Sequence, residues 1–92
     1  MKRVWKYPLD TDNSTVSIPY GSKILSVQSQ YGYPVIWALV DPIDPVSGNE
    51  RGLERRRFRV VGTGQPINFS TDRYIGTFQL DGGRLIFHVF EV

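Results

Sequence analysis

The stretch Lys23-Ile24-Leu25-Ser26-Val27-Gln28-Ser29-Gln30-Tyr31-Gly32-Tyr33-Pro34-Val35-Ile36-Trp37-Ala38-Leu39-Val40 decides the fold. From Lys23 to Gln30 the residues alternate, with Ile24, Ser26, Gln28 and Gln30 on one side and Leu25, Val27 and Ser29 on the other. That is the two-residue period of a half-buried β-strand. Tyr31-Gly32-Tyr33-Pro34 turns the chain. Val35 to Val40 is almost wholly apolar, which predicts a central strand buried on both faces, with Trp37 in the core.

Working outward, the same pattern recurs in short segments bounded by Gly, Pro, Asn and Asp. Val4 to Tyr7 and Thr15 to Ile18 read as strands, separated by the polar Asp10 to Ser14 turn and stopped at Pro19-Tyr20-Gly21. Arg55 to Val61 resumes strand character, with Phe58 and Val60 facing inward and Arg57 and Arg59 facing the other way. Gly62-Thr63-Gly64-Gln65-Pro66 breaks it. Tyr74 to Leu80 and Arg84 to Glu91 flank Asp81-Gly82-Gly83, where glycine supplies the positive φ of a tight hairpin. No stretch holds a 3.6-residue period long enough for a substantial helix. The expectation is an all-β fold of six to seven mostly antiparallel strands in a small sandwich or barrel, with at most a short helix. Residues 1–92 form one domain, and the Pro- and Gly-rich segment 41–55 is a projecting loop.

Composition limits the function classes. A chain of 92 residues with 40% hydrophobic and 13% aromatic residues has room for one core and is too rich in core formers to be disordered. There is no Cys, so disulfides and thiolate metal sites are excluded. The start, Met1-Lys2-Arg3-Val4-Trp5-Lys6-Tyr7-Pro8, lacks the apolar run of a signal peptide, and no stretch reads as a membrane span. The expected location is the cytoplasm. One His, no Cys and nine acids, several at turns, are thin material for catalysis or metal binding, so no enzyme activity, metal or cofactor is expected. His88 shares a strand side with Ile86 and Phe90 and reads as structural rather than as a general base.

Net charge is only +2, yet Arg51, Arg55, Arg56, Arg57 and Arg59 crowd one segment. Alternation stacks Arg55, Arg57 and Arg59 on one strand face, where guanidinium forks suit phosphate oxygens. The competing reading is a charged edge strand that blocks aggregation, balanced by Glu50 and Glu54. Gly62, Thr63 and Gly64 follow a strand and either present backbone N–H groups to an anion or simply supply turn conformations. Tyr31 and Tyr33, beside Gly32, are the candidates for stacking on a planar ring. Leu85 to Val92 is apolar on both sides apart from His88 and Glu91, so one face is expected in the core and the other against a second subunit.

Lys23-Ile24-Leu25-Ser26-Val27-Gln28, Trp37-Ala38-Leu39-Val40-Asp41-Pro42, Phe58-Arg59, Gly62-Thr63-Gly64-Gln65-Pro66-Ile67, Tyr74-Ile75-Gly76-Thr77-Phe78-Gln79-Leu80, Gly82-Gly83 and Phe87-His88-Val89-Phe90-Glu91 together resemble a family of short proteins encoded by bacteriophages and prophages. The stretch between Pro45 and Arg56 matches nothing in it. The resemblance implies a phage origin and an accessory role inside an infected bacterium, and it carries no catalytic residues. Joined to the arginines, it gives the leading expectation: a non-enzymatic counter-defence protein that sequesters an anionic small molecule, such as a nucleotide immune signal. The rivals are a protein–protein inhibitor of a host enzyme, a nucleic-acid-binding module, for which +2 is a low charge, and last a phosphodiesterase-like hydrolase, which the scarcity of His, Cys and convergent acids disfavours.

Overall fold

A computed structural model describes residues 1–92. Seven strands form: β1 (Arg3–Pro8), β2 (Asn13–Pro19), β3 (Lys23–Gln30), β4 (Tyr33–Val40), β5 (Leu53–Gly62), β6 (Tyr74–Leu80) and β7 (Leu85–Glu91). One 3-10 turn, Asp81–Gly83, is the sole helical element. No helix is long and apolar enough to cross a membrane. The strands make two antiparallel sheets, β1-β4-β3 and β2-β5-β7-β6. Val27 and Ile36 from the first meet Phe58, Phe78 and Val89 from the second in one cluster, so the two sheets stack as a sandwich.

The two hairpins follow from their turn chemistry. Gln30 pairs with Tyr33 across Tyr31-Gly32, and both turn residues have positive φ (52° and 83°), as a two-residue type I′ loop requires. Leu80 pairs with Leu85 across the Asp81–Arg84 turn, where Gly82 and Gly83 also have positive φ, and the last two strands lie side by side as expected.

Strict alternation fails at two places. In β3 the register shifts between Ile24 and Ser26, leaving Leu25 as the extra, exposed residue. This bulge turns Ile24 and Val27 to the same side, opposite Ala38 and Ile36, so both reach the core. A matching shift between Tyr74 and Gly76 in β6 puts Tyr74 and Thr77 on one face.

The expectation of a strand buried on both faces is corrected for β4. Ile36, Ala38 and Val40 are fully buried; on the other side Val35 is buried too, but Trp37 and Leu39 are only half-buried. The outer face of this sheet carries no second layer, and Lys6 hydrogen-bonds across it to Gln30 (2.9 Å). The start of β5 also moves, to Leu53. The segment before it folds back on itself through an Ile43–Glu50 bridge and the bonds Asp44 N–H to Asn49 O (2.8 Å) and Arg51 N–H to Pro42 O (2.7 Å).

Candidate functional site

On β5, Phe58 is fully buried and Val60 packs against the same core, so Arg55, Arg57 and Arg59 all face outward. Their neighbours across the ladder in β2 are Ser17, Thr15 and Asn13 respectively, all exposed. The result is two adjacent rows, one of guanidinium groups and one of small hydroxyl or amide side chains. Successive arginines in such a row are about 6.5–7 Å apart along the strand. No acid belongs to either row. None of the three arginines forms a salt bridge, because the six ion pairs of the chain use Arg51, Arg56, Arg73, Arg84 and the N-terminus.

The expected balancing acids do something else. Glu54 lies 3.3 Å from Arg56 Nη1, and its carboxylate also accepts the Gly21 N–H (3.2 Å). Arg56, one residue out of phase with its neighbours, points to the core side, where it is committed to Glu91.

Arg59 differs from its two partners in the row. Its guanidinium lies over the Phe69 ring at 4.8 Å, and its Nε is buried with no hydrogen-bond partner. Phe69 also meets the Phe90 ring edge-on (5.7 Å), and Tyr74 packs on Phe90 from the other side (5.5 Å). At Phe90, therefore, the outer face expected to meet a second subunit is covered by aromatic residues of the same chain.

His88 sits on this face with a bond at each ring nitrogen, to Thr77 Oγ1 from Nδ1 (2.9 Å) and to Thr63 Oγ1 from Nε2 (2.7 Å). Hydroxyls serve as donor or acceptor as required, so a neutral imidazole is satisfied at both ends. Tyr74 Oη bonds Thr77 Oγ1 and extends the chain of hydroxyls.

The glycine turn offers less than its sequence suggests. Gly62 N–H donates to Gln65 Oε1 (2.7 Å) and Thr63 N–H to Ile86 O (3.1 Å). Gly64, at φ 87°, is the turn position that needs glycine. Tyr31 and Tyr33 project from the β3–β4 hairpin in the other sheet, with Tyr31 93% exposed. Tyr33 borders an apolar hollow of about 220 Å³ floored by Leu9, Phe78 and Phe87. No cavity joins either tyrosine to Arg55, Arg57 or Arg59, and none of the four cavities is lined by these arginines. The candidate residues thus separate into an open arginine face, a closed turn and a distant pair of rings.

Sequence reading missed Asn13, Thr15 and Ser17, which flank the arginines. Their own alternation, Asn13, Thr15 and Ser17 against Ser14, Val16 and Ile18, was the available signal. What was not legible is that β2, rather than a sequence neighbour of β5, lies beside the arginines.

The chain belongs to the family described as Domain of unknown function (DUF7352), which it matches over residues 1–92. Comparison with curated proteins and with solved structures gives no match.

Proposed function

We propose that this member of the family is a non-enzymatic binding protein for a phosphate-bearing ligand, held on the outer face of β5 by Arg55, Arg57 and Arg59. The observation that carries the reading is the row of unpaired guanidinium groups beside Asn13, Thr15 and Ser17, one of them with a desolvated, unbonded Nε. Arginine forks donate in pairs to phosphate oxygens, and the adjacent hydroxyls and amide complete such a shell. In the setting that the phage-like resemblance suggests, the protein withdraws a nucleotide signal from host defence by binding it unchanged. His88, with both nitrogens already bonded within the chain, has a structural part in this reading.

A second reading has its own support. The face is open, and its regular spacing suits a row of phosphates, so a short single-stranded nucleic acid fits it as well as a free nucleotide.

Thermal-shift titration against mono-, di- and cyclic nucleotides and a short oligonucleotide tests both. A bound ligand raises the melting temperature increasingly with its concentration. Arg57→Glu/Arg59→Glu keeps the strand charged but reverses its sign, and should abolish the rise, each lost contact being worth roughly 1.5–3 kcal/mol. A cooperatively melting double variant with undiminished affinity would sink the assignment. For the strand reading, log K should fall with log salt at a slope of about −0.7 per phosphate neutralised.

A further inference from the structure

We propose that a second site, separate from the arginine face, takes a small phosphomonoester attached to a planar ring, of the nucleoside monophosphate class. It lies at the end of the sandwich where β4 leaves its sheet. β4 is the middle strand there, with Arg3 paired to Val40 on one side and Lys23 paired to Leu39 on the other. Lys2 and Lys23 therefore flank the last residues of β4 from opposite neighbours. The turn between β2 and β3 brings Tyr20 and Gly21 to the rim, and the folded-back segment after β4 supplies Asp41 and Arg51. Together these residues enclose a cleft of about 300 Å³ over Leu39 and Val40.

The charges in the cleft do not cancel. Arg51 is fixed by its Nε bond to the Asp41 carbonyl (2.8 Å), and its Nη2 lies 3.7 Å from the Asp41 carboxylate. Asp41 is the only acid lining the cleft, against three cations. Neither Lys2 nor Lys23 has an acidic partner anywhere in the chain. Lys2 and Lys23 thus line a concave surface whose one acid, Asp41, is already taken by Arg51 and by the Met1 ammonium (3.2 Å), and a dianionic phosphate supplies the missing charge.

The rim favours a ring. Tyr20 is 67% exposed although its backbone is anchored, its N–H donating to Gly52 O (2.8 Å), and Gly21 at φ 80° makes the turn that presents it. An exposed phenol on an anchored turn beside a cationic cleft is a stacking platform. Size narrows the class further. Ligand cavities run from about 300 to 1,000 Å³, and this one is at the small end, suiting one nucleotide rather than two. The sequence hides the site because Lys2, the Tyr20–Lys23 stretch and Arg51 are far apart along the chain.

The test is an amide chemical-shift titration of the full chain with adenosine 5′-monophosphate, inorganic phosphate and adenosine in turn. The monophosphate should shift Lys2, Tyr20, Gly21, Lys23 and Arg51 and bind more tightly than either fragment. Lys23→Glu, an exposed change, should weaken it by roughly tenfold or more, as should Lys2→Glu, and Arg84→Glu, a charge reversal outside both the cleft and the arginine face, should leave it unaltered. Shifts confined to Asn13–Ser17 and Arg55–Arg59 would overturn the cleft while favouring the arginine face. Absence of binding, or equal affinity in the wild type and both lysine variants, would overturn it outright.

Discussion

The Arg56 guanidinium holds the Glu91 carboxylate in a two-pronged grip, Nε donating to Oε2 and Nη2 to Oε1 (2.9 Å), at the end of the sandwich interior. Glu91 lies opposite Phe58 in the β5–β7 ladder, on the core side of the sheet, and is only 6% exposed. Arg56 Nη1 also donates to Ser22 O (2.7 Å). The hydrogen bond to Glu91 raises the Arg56 pKa further above its ordinary value, against the opposing effect of burial.

Glu91→Gln keeps the shape and removes the charge, leaving Arg56 with Glu54 as its sole acidic partner. Breaking a buried pair from one side costs about 3 kcal/mol or more, and Glu54 should hold the loss to roughly 2–3 kcal/mol. Replacing both partners, as Arg56→Met/Glu91→Leu, should cost less than the single change. Urea denaturation of the three proteins checks this, and a double variant weaker than Glu91→Gln would contradict it.

Gly76 brings β6 against Val27 of β3. A Cβ there would lie 3.1 Å from Val27 Cγ1, a core atom with little room to retreat. Gly76→Ala should therefore destabilise by about 1–3 kcal/mol through overpacking. Val27→Ala in the same chain should relieve part of that cost, so the two changes combine to less than their sum. Strictly additive melting data would show that the two strands adjust without strain.

Tyr31 adopts φ 52° at the first position of the β3–β4 turn, with its side chain in solvent. A non-glycine residue in this region costs roughly 1–2 kcal/mol, least for Asn, and Asn-Gly is the favoured pair for the turn. Tyr31→Asn should raise stability by about 1 kcal/mol, readable as a higher denaturation midpoint with an unchanged slope. If nucleotide affinity also drops, the ring is retained for binding despite its backbone strain.

The strands themselves were legible because alternation and turn residues are local signals. All seven fall where the pattern of Ile, Val, Phe and Tyr puts them, with ends shifted by a residue or two. What alternation misreads is a bulge. Leu25 looks like a core partner of Val27 until the extra residue is counted, and no rule of spacing marks which residue is extra. The arginine row was legible on the same basis, as was the inward position of Arg56. Its partner was also within reach, since Glu91 shares the register of Phe87 and Val89 and an acid facing the core needs a cation. Pairing between sheets and across long intervals was not. The cleft of Lys2, Tyr20, Lys23 and Arg51, and the cover that Phe69 gives Phe90, depend on which strands are neighbours, and that follows from the packing of the whole core.

Tyr7 gives the fold an alkaline limit. Its side chain packs against both clusters of buried residues, and burial raises the phenol above its ordinary pKa of 10.0. Below that value the phenol keeps its proton in the folded and unfolded chains alike, so its contribution does not vary with pH. As the pH rises past 10.0, the unfolded chain gives up the proton first while the folded chain retains it. Unfolding then releases a proton, and stability falls with each increment of pH until the folded phenol also ionises. Tyr7→Phe removes the titrating group and keeps the ring, so its denaturation midpoint should decline less steeply than that of the wild type between roughly pH 9 and 11. The absorbance rise of tyrosine ionisation in the folded protein should lose its most alkaline part in the same variant. Parallel stability curves for the two proteins would show that the phenol reaches solvent in the folded state and that burial does not govern its titration.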